Sequence, residues 1–118
     1  MVDKITEASL LYDFYGQLLT EKQQKVMELY HEENLSLAEI ASEFDITRSA
    51  VYDTLKKAEK ALNQYENKLC LISKFMKTNQ VISKIDNKID EIINKNKENK
   101  GLVCELEDIK IVIGQLEE

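Results

Sequence analysis

Apolar residues in this chain recur at helical spacing, and the recurrence predicts a succession of amphipathic helices. Leu11, Phe14, Tyr15 and Leu18 share one face of a helix over 7–18. Thr20-Glu21-Lys22-Gln23 has the form of a capping box and opens a second helix over 21–33, with Val26, Leu29 and Tyr30 inward. Asn34 suits the left-handed end of that helix. Ser36-Leu37-Ala38-Glu39 is a second capping box, and its helix, over 37–44, places Leu37, Ile40, Ala41 and Phe44 in the core. Asp45 tolerates a tight turn, Ile46 is apolar, and Thr47 caps the next helix. From there Val51, Leu55, Ala58, Leu62, Tyr65, Leu69, Ile72 and Met76 follow one another at alternating spacings of four and three, a heptad stripe. A continuous helix over 48–77 would be about 45 Å long. Its expected end is Lys77-Thr78-Asn79. Two further stripes follow, Ile82, Ile85, Ile89 and Ile92, then Leu102, Leu106, Ile109, Ile113 and Leu116. A polar connector over 94–101 separates them, so the last third reads as a helical hairpin.

Composition sharpens this to an all-α fold. The 118 residues contain no Pro and three Gly, too few for the tight turns of a sandwich or barrel. The expected domains are 1–75, a helix-turn-helix domain ending in a long helix, and 76–118, a C-terminal hairpin. Cys70 and Cys104 belong to no C-x-x-C motif, which argues against a disulfide scaffold or a zinc site. No leader-like or membrane-spanning apolar run is present, and the expected location is the cytoplasm.

Net charge is −6. Residues 36–79 are the one basic-leaning segment, with seven basic and six acidic residues and the sole Arg, Arg48. An anionic partner is expected there. The unit helix, tight turn, helix over 36–57 has the pattern of a helix-turn-helix, whose second helix enters the major groove of DNA. With Val51, Leu55 and Ala58 inward, its outward residues are Thr47, Arg48, Ser49, Tyr52, Asp53, Lys56 and Lys57. Arg48 can reach a phosphate or a guanine edge. Ser49 and Tyr52 can donate to phosphate or base, and Lys56 and Lys57 suit the flanking backbone. His31 is the single histidine, the Gly residues are isolated, and the acidic pairs sit on charge-rich helical faces. Nothing points to catalysis, a metal or a cofactor.

Three stretches resemble the bacterial YlxM family. They are Leu10–Tyr15 with Leu18–Gln24, the run LSLAEIASEFDITRSAVYDTLKKAEKAL over 35–62, and YENKL over 65–69. The resemblance covers roughly residues 8–75. It implies an all-helical protein with a domain like region 4 of sigma factors, and a regulatory role linked to the signal recognition particle pathway. The chain departs from sigma region 4 at Ala50 and Tyr52, where sigma-like sequences place basic residues. Promoter recognition in the sigma manner is therefore not expected. The abundance of Lys, Asn and Ile fits a low-GC bacterium.

The expected function is a non-enzymatic DNA-binding regulator. A second reading is an interaction module that keeps the helix-turn-helix fold but binds protein or RNA of the signal recognition particle. The surplus of heptad stripes predicts a homodimer whose interface centres on Leu69, Ile72, Ile85, Ile89, Ile109 and Ile113.

Overall fold

The computed structural model describes residues 4–117, all of whose regular elements are helical. The chain divides into two compact units, one ending at Ile72 and the other starting at Ser73.

The first unit holds α1 (Lys4–Tyr15), α2 (Glu21–Met27), α3 (Leu37–Phe44) and α4 (Arg48–Leu69). Helix α4 packs against each of the other three. Val51, Leu55, Ala58 and Leu62, the inward half of the heptad stripe, meet Leu11, Tyr15, Val26, Met27, Ile40 and Ala41 in one core cluster. Both capping boxes form as the sequence predicts, with the Thr20 and Ser36 hydroxyls accepting from the Gln23 and Glu39 amides.

Two expected core residues lie outside. Helix α1 ends at Tyr15, and a 3₁₀ turn over Gly16–Leu18 takes the chain out of α-register. Leu18 is thereby 55% exposed, and Leu19 is buried in its place. The turn brings Gly16 against the Tyr12 ring, where an added Cβ would stand 3.0 Å from ring carbons. Helix α2 runs into a π turn over Glu28–Glu32, in which the Glu33 amide donates to the Glu28 carbonyl, 3.1 Å. A π turn takes up more residues than an α turn, so the helical phase slips. Tyr30 turns outward, and the buried positions of α2 are Val26 and Met27, ahead of the π turn. The Tyr12 hydroxyl donates to Glu28, 2.7 Å. Burial first, then that bond, pushes the Tyr12 phenol up to about 12.

The expected helix over 48–77 is cut at Cys70, and Lys77-Thr78-Asn79 lies inside the next helix, α5 (Leu71–Lys95). Cys70 is left-handed, φ 56, and its amide donates to the Glu66 carbonyl, 2.8 Å. The following amides find tertiary partners instead of helical ones. The Leu71 amide donates to the Tyr15 hydroxyl, 3.1 Å, and the Ile72 amide to Glu66 Oε1, 3.0 Å. The Tyr15 hydroxyl itself donates to the same carboxylate oxygen, 2.6 Å. The first amides of any helix lack helical acceptors, so this cluster opens α5 as a cap would. A carboxylate also suits the positive end of a helix dipole. Tyr15 is 1% exposed, and burial followed by the Glu66 bond raises its phenol above the ordinary range.

The second unit comprises α5 from Ser73 onward and α6 (Lys100–Gly114), joined by a turn in which Asn99 caps the Leu102 amide, 3.2 Å. Ile82 and Ile89 of α5 are buried, and Leu102, Leu106 and Ile113 of α6 are half-buried. An ion pair between Lys110 and Asp90 ties the two arms together.

Two outcomes are expected. Cys70→Val forces a β-branched residue into the left-handed region and destabilises the chain by about 1–3 kcal/mol in urea, whereas Cys70→Gly stays within about 1 kcal/mol of wild type. In an ultraviolet titration, Tyr12 and Tyr15 ionise above the ordinary phenol value near 10. Their folded-state values are raised, so the stability they contribute is whole below the ordinary value near 10, and is lost as pH climbs through the folded values.

Candidate nucleic-acid interface

Local chemistry alone builds the turn between α3 and α4. Asp45 is left-handed, φ 53. The Ile46 amide donates to the Ala41 carbonyl, 3.0 Å, and the Asp45 amide to the Ser42 carbonyl, 3.4 Å. That pair of bonds is a Schellman motif, and the half-buried Ile46 beside Ala41 supplies its apolar contact. Ile40 and Ala41 are buried where α3 meets α4. Thr47, in extended conformation, then caps α4 by accepting from the Ala50 amide, 3.0 Å. The result is helix, three-residue turn, helix, with α4 held by burial of Val51, Leu55 and Ala58.

Thr47, Arg48, Ser49, Tyr52, Lys56 and Lys57 are all exposed on the side of α4 away from that core. Their charges are not equally available. Lys57 pairs with Asp53 at 3.1 Å and Lys56 lies 4.0 Å from Glu59. The Lys56 ammonium also stands over the Tyr52 ring, 5.4 Å from its centroid. Arg48 takes no ion pair among the described residues, and neither does Lys60, one turn beyond Lys56. Its spacing of four from Lys56 is the signal in the sequence that adds Lys60 to the outward set. Arg48 therefore projects from the first turn of α4 with its full donor fork free, the geometry suited to a phosphate or a guanine edge.

The surroundings are less basic than the segment total suggested. Residues 36–60 hold four basic and five acidic residues. The basic surplus of 36–79 comes from Lys68, Lys74 and Lys77, beyond the motif.

The expected dimer positions are scattered. Leu69, Ile85 and Ile109 are exposed and Ile113 is half-buried. Ile89 is buried in the chain, and Ile72 packs on the core of the first unit. Among the described residues no three His, Cys, Asp or Glu side chains form a metal-holding group, and no helix is long and apolar enough to cross a membrane.

Residues 2–108 match the family model described as "Putative helix-turn-helix protein, YlxM / p13 like". The chain belongs to this family. Relatives from Bacillus thuringiensis (strain Al Hakam) and Bacillus cereus (strain 03BB102), each named "UPF0122 protein", are 43% identical over 109 residues, covering 92% of this chain and 99% of theirs. A Bacillus anthracis (strain A0248) relative of the same name matches to the same extent. The family likeness thus extends through the motif and most of α6, and it supports the helix-turn-helix reading at the level of fold.

Because the cap and the exposed cation do different work, their removal is expected to separate. Thr47→Ala should lower stability by about 1 kcal/mol by leaving the Ala50 amide uncapped. Arg48→Ala should stay within about 0.5 kcal/mol of wild type in the same denaturation series.

Proposed function

We propose that the protein is a non-enzymatic regulator that binds duplex DNA with the outer face of α4. Arg48 contacts phosphate or a guanine edge, Thr47, Ser49 and Tyr52 donate to phosphate or base, and Lys56 and Lys57 lie along the backbone. The observation that carries this reading is the free Arg48 at the capped, exposed start of the second helix of the motif. The molecule acts as a homodimer, which supplies two such helices for two half-sites about 34 Å apart. It works in the cytoplasm and in connection with the signal recognition particle pathway, a link supported by the family resemblance. Residues 1–75 are the binding domain and residues 76–118 the pairing element.

A second reading has its own support. The near balance of charge over residues 36–60 is unlike a strong DNA binder. In that reading the motif is a platform for protein or RNA of the signal recognition particle.

Titration of random duplex DNA against salt separates the two. With Arg48 and Lys60 as the unpaired cations of each motif, a dimer neutralises about four phosphates, and log K falls with log salt at a slope of about −4. Arg48→Ala should lower that slope by about one per copy and weaken binding without loss of stability. Absence of duplex binding at low salt, with retained binding to the particle's RNA or protein, would establish the second reading.

A further inference from the structure

The hairpin of the second unit has a side that its own arms leave uncovered. On α5 the seam toward α6 is marked by buried Ile82 and Ile89, and by Asp86 and Asp90, whose charges both act on Lys110. Val81 and Ile85 each stand one residue before a seam residue. On α6 the inner side carries half-buried Leu106, Lys110 and Ile113. Ile109 and Val112 again stand one residue before an inner residue, and exposed Leu116 follows them in the 3₁₀ turn Gln115–Glu117 that ends α6. One residue is about 100° of helical rotation. The arms run antiparallel, so the same one-residue offset turns both strips to the same side of the hairpin. Val81, Ile85, Ile109 and Val112 therefore share one face, with exposures of 47%, 42%, 47% and 61%. By the same offset Lys88, one residue before Ile89, and Glu105, one residue before Leu106, stand on this face too, Lys88 lying 3.7 Å from Glu91. A cluster of exposed apolar residues with one charge on each arm marks an interaction surface.

Charge indicates what covers it. Over residues 81–95, the length alongside α6, α5 carries three Lys and three acids, of which Asp86 and Asp90 act on Lys110 at the seam. This leaves Lys84 and Lys88 of α5 toward the open face against Glu105 and Asp108 of α6. Lys84 on α5 and Asp108 on α6 flank the face, and Glu105 stands within it. None of these three takes an ion pair among the described residues. We propose that a second copy of this chain docks on the face, with the two-fold axis running along the helices. That axis lays α5 of one protomer antiparallel on α6 of its partner, so the basic side of one arm meets the acidic side of the other twice. The other face-to-face two-fold stacks α5 on α5 and α6 on α6, setting like charges together. Two-fold contacts reuse one patch on both copies, and the product is a four-helix bundle. This deepens the pairing part of the reading above. It replaces the expected interface positions Ile72 and Ile89, which point into the chain's own cores, with Val81 and Val112.

Sedimentation equilibrium of the full chain is the test, with circular dichroism as the control for folding. Wild type is expected to be dimeric at micromolar concentration. Val112→Glu, at an exposed position, is expected to give a monomer of unchanged helicity. Lys84→Glu and Asp108→Lys are each expected to weaken pairing several-fold, with the double variant recovering. A monomeric wild type, or a Val112→Glu variant that still pairs, overturns the proposal. So does tighter pairing by Lys84→Glu, the sign that α5 stacks on α5. Val112→Glu leaves the Arg48 face untouched. Weaker but measurable duplex binding by that monomer separates a failure of pairing from a failure of the DNA reading.

Discussion

The bond between the buried Tyr15 hydroxyl and the Glu66 carboxylate decides where the longest apolar stripe of the chain is cut. By periodicity alone α4 should run on, since Leu69, Ile72 and Met76 continue the stripe without a break. Ending a helix there leaves amides without acceptors and sets a cysteine in the left-handed region, an arrangement that persists only when its surroundings over-determine it. The hydroxyl and the carboxylate supply that determination by taking the amides of Leu71 and Ile72. Tyr15 also packs on Tyr65, ring centroids 6.0 Å apart, so the same residue joins α1 to α4 by apolar contact and starts α5 by hydrogen bonding.

A carboxylate is well matched to this task. It accepts through two oxygens and carries charge into the amides that open a helix, where charge-assisted bonds are stronger than neutral ones. The hydroxyl complements it by donating to the carboxylate and accepting an amide at once. The end of α4 is therefore a tertiary property, set by α1, whereas its beginning is a local one, set by Thr47 and the turn before it.

That contrast explains which parts of the fold the sequence discloses. Capping boxes, the left-handed Asn34 and Asp45, and the Thr47 cap rest on side chains within a few residues of the amides they serve, and each is readable from spacing. Cys70 carries no such signal, because one of the two groups that stabilise its turn, the Tyr15 hydroxyl, lies 55 positions earlier in the chain. The π turn is silent for a related reason. Glu28–Glu32 has an ordinary helical composition, and only the phase slip that exposes Tyr30 records it. At the candidate interface, spacing identifies which residues of α4 point outward, since the inward stripe is strong. It does not tell which cations are already engaged. Lys56 and Lys57 look equivalent to Arg48 in sequence, and Asp53 and Glu59 set them apart in space.

Scarcity of free cations also shapes what kind of binder this face can be. Phosphate neutralisation supplies most non-specific affinity for nucleic acid, and it scales with the number of unpaired cations presented. A motif with few of them binds any duplex weakly. A guanidinium that is free to engage a guanine edge adds discrimination that does not depend on that total. Reducing backbone contacts while keeping the base-reading residue lowers affinity more than it lowers the ratio between right and wrong sites. Such a motif relies on the number of copies held together to reach useful affinity. In the homodimer proposed above that demand falls on the second unit, where Val81, Ile85, Ile109 and Val112 are exposed.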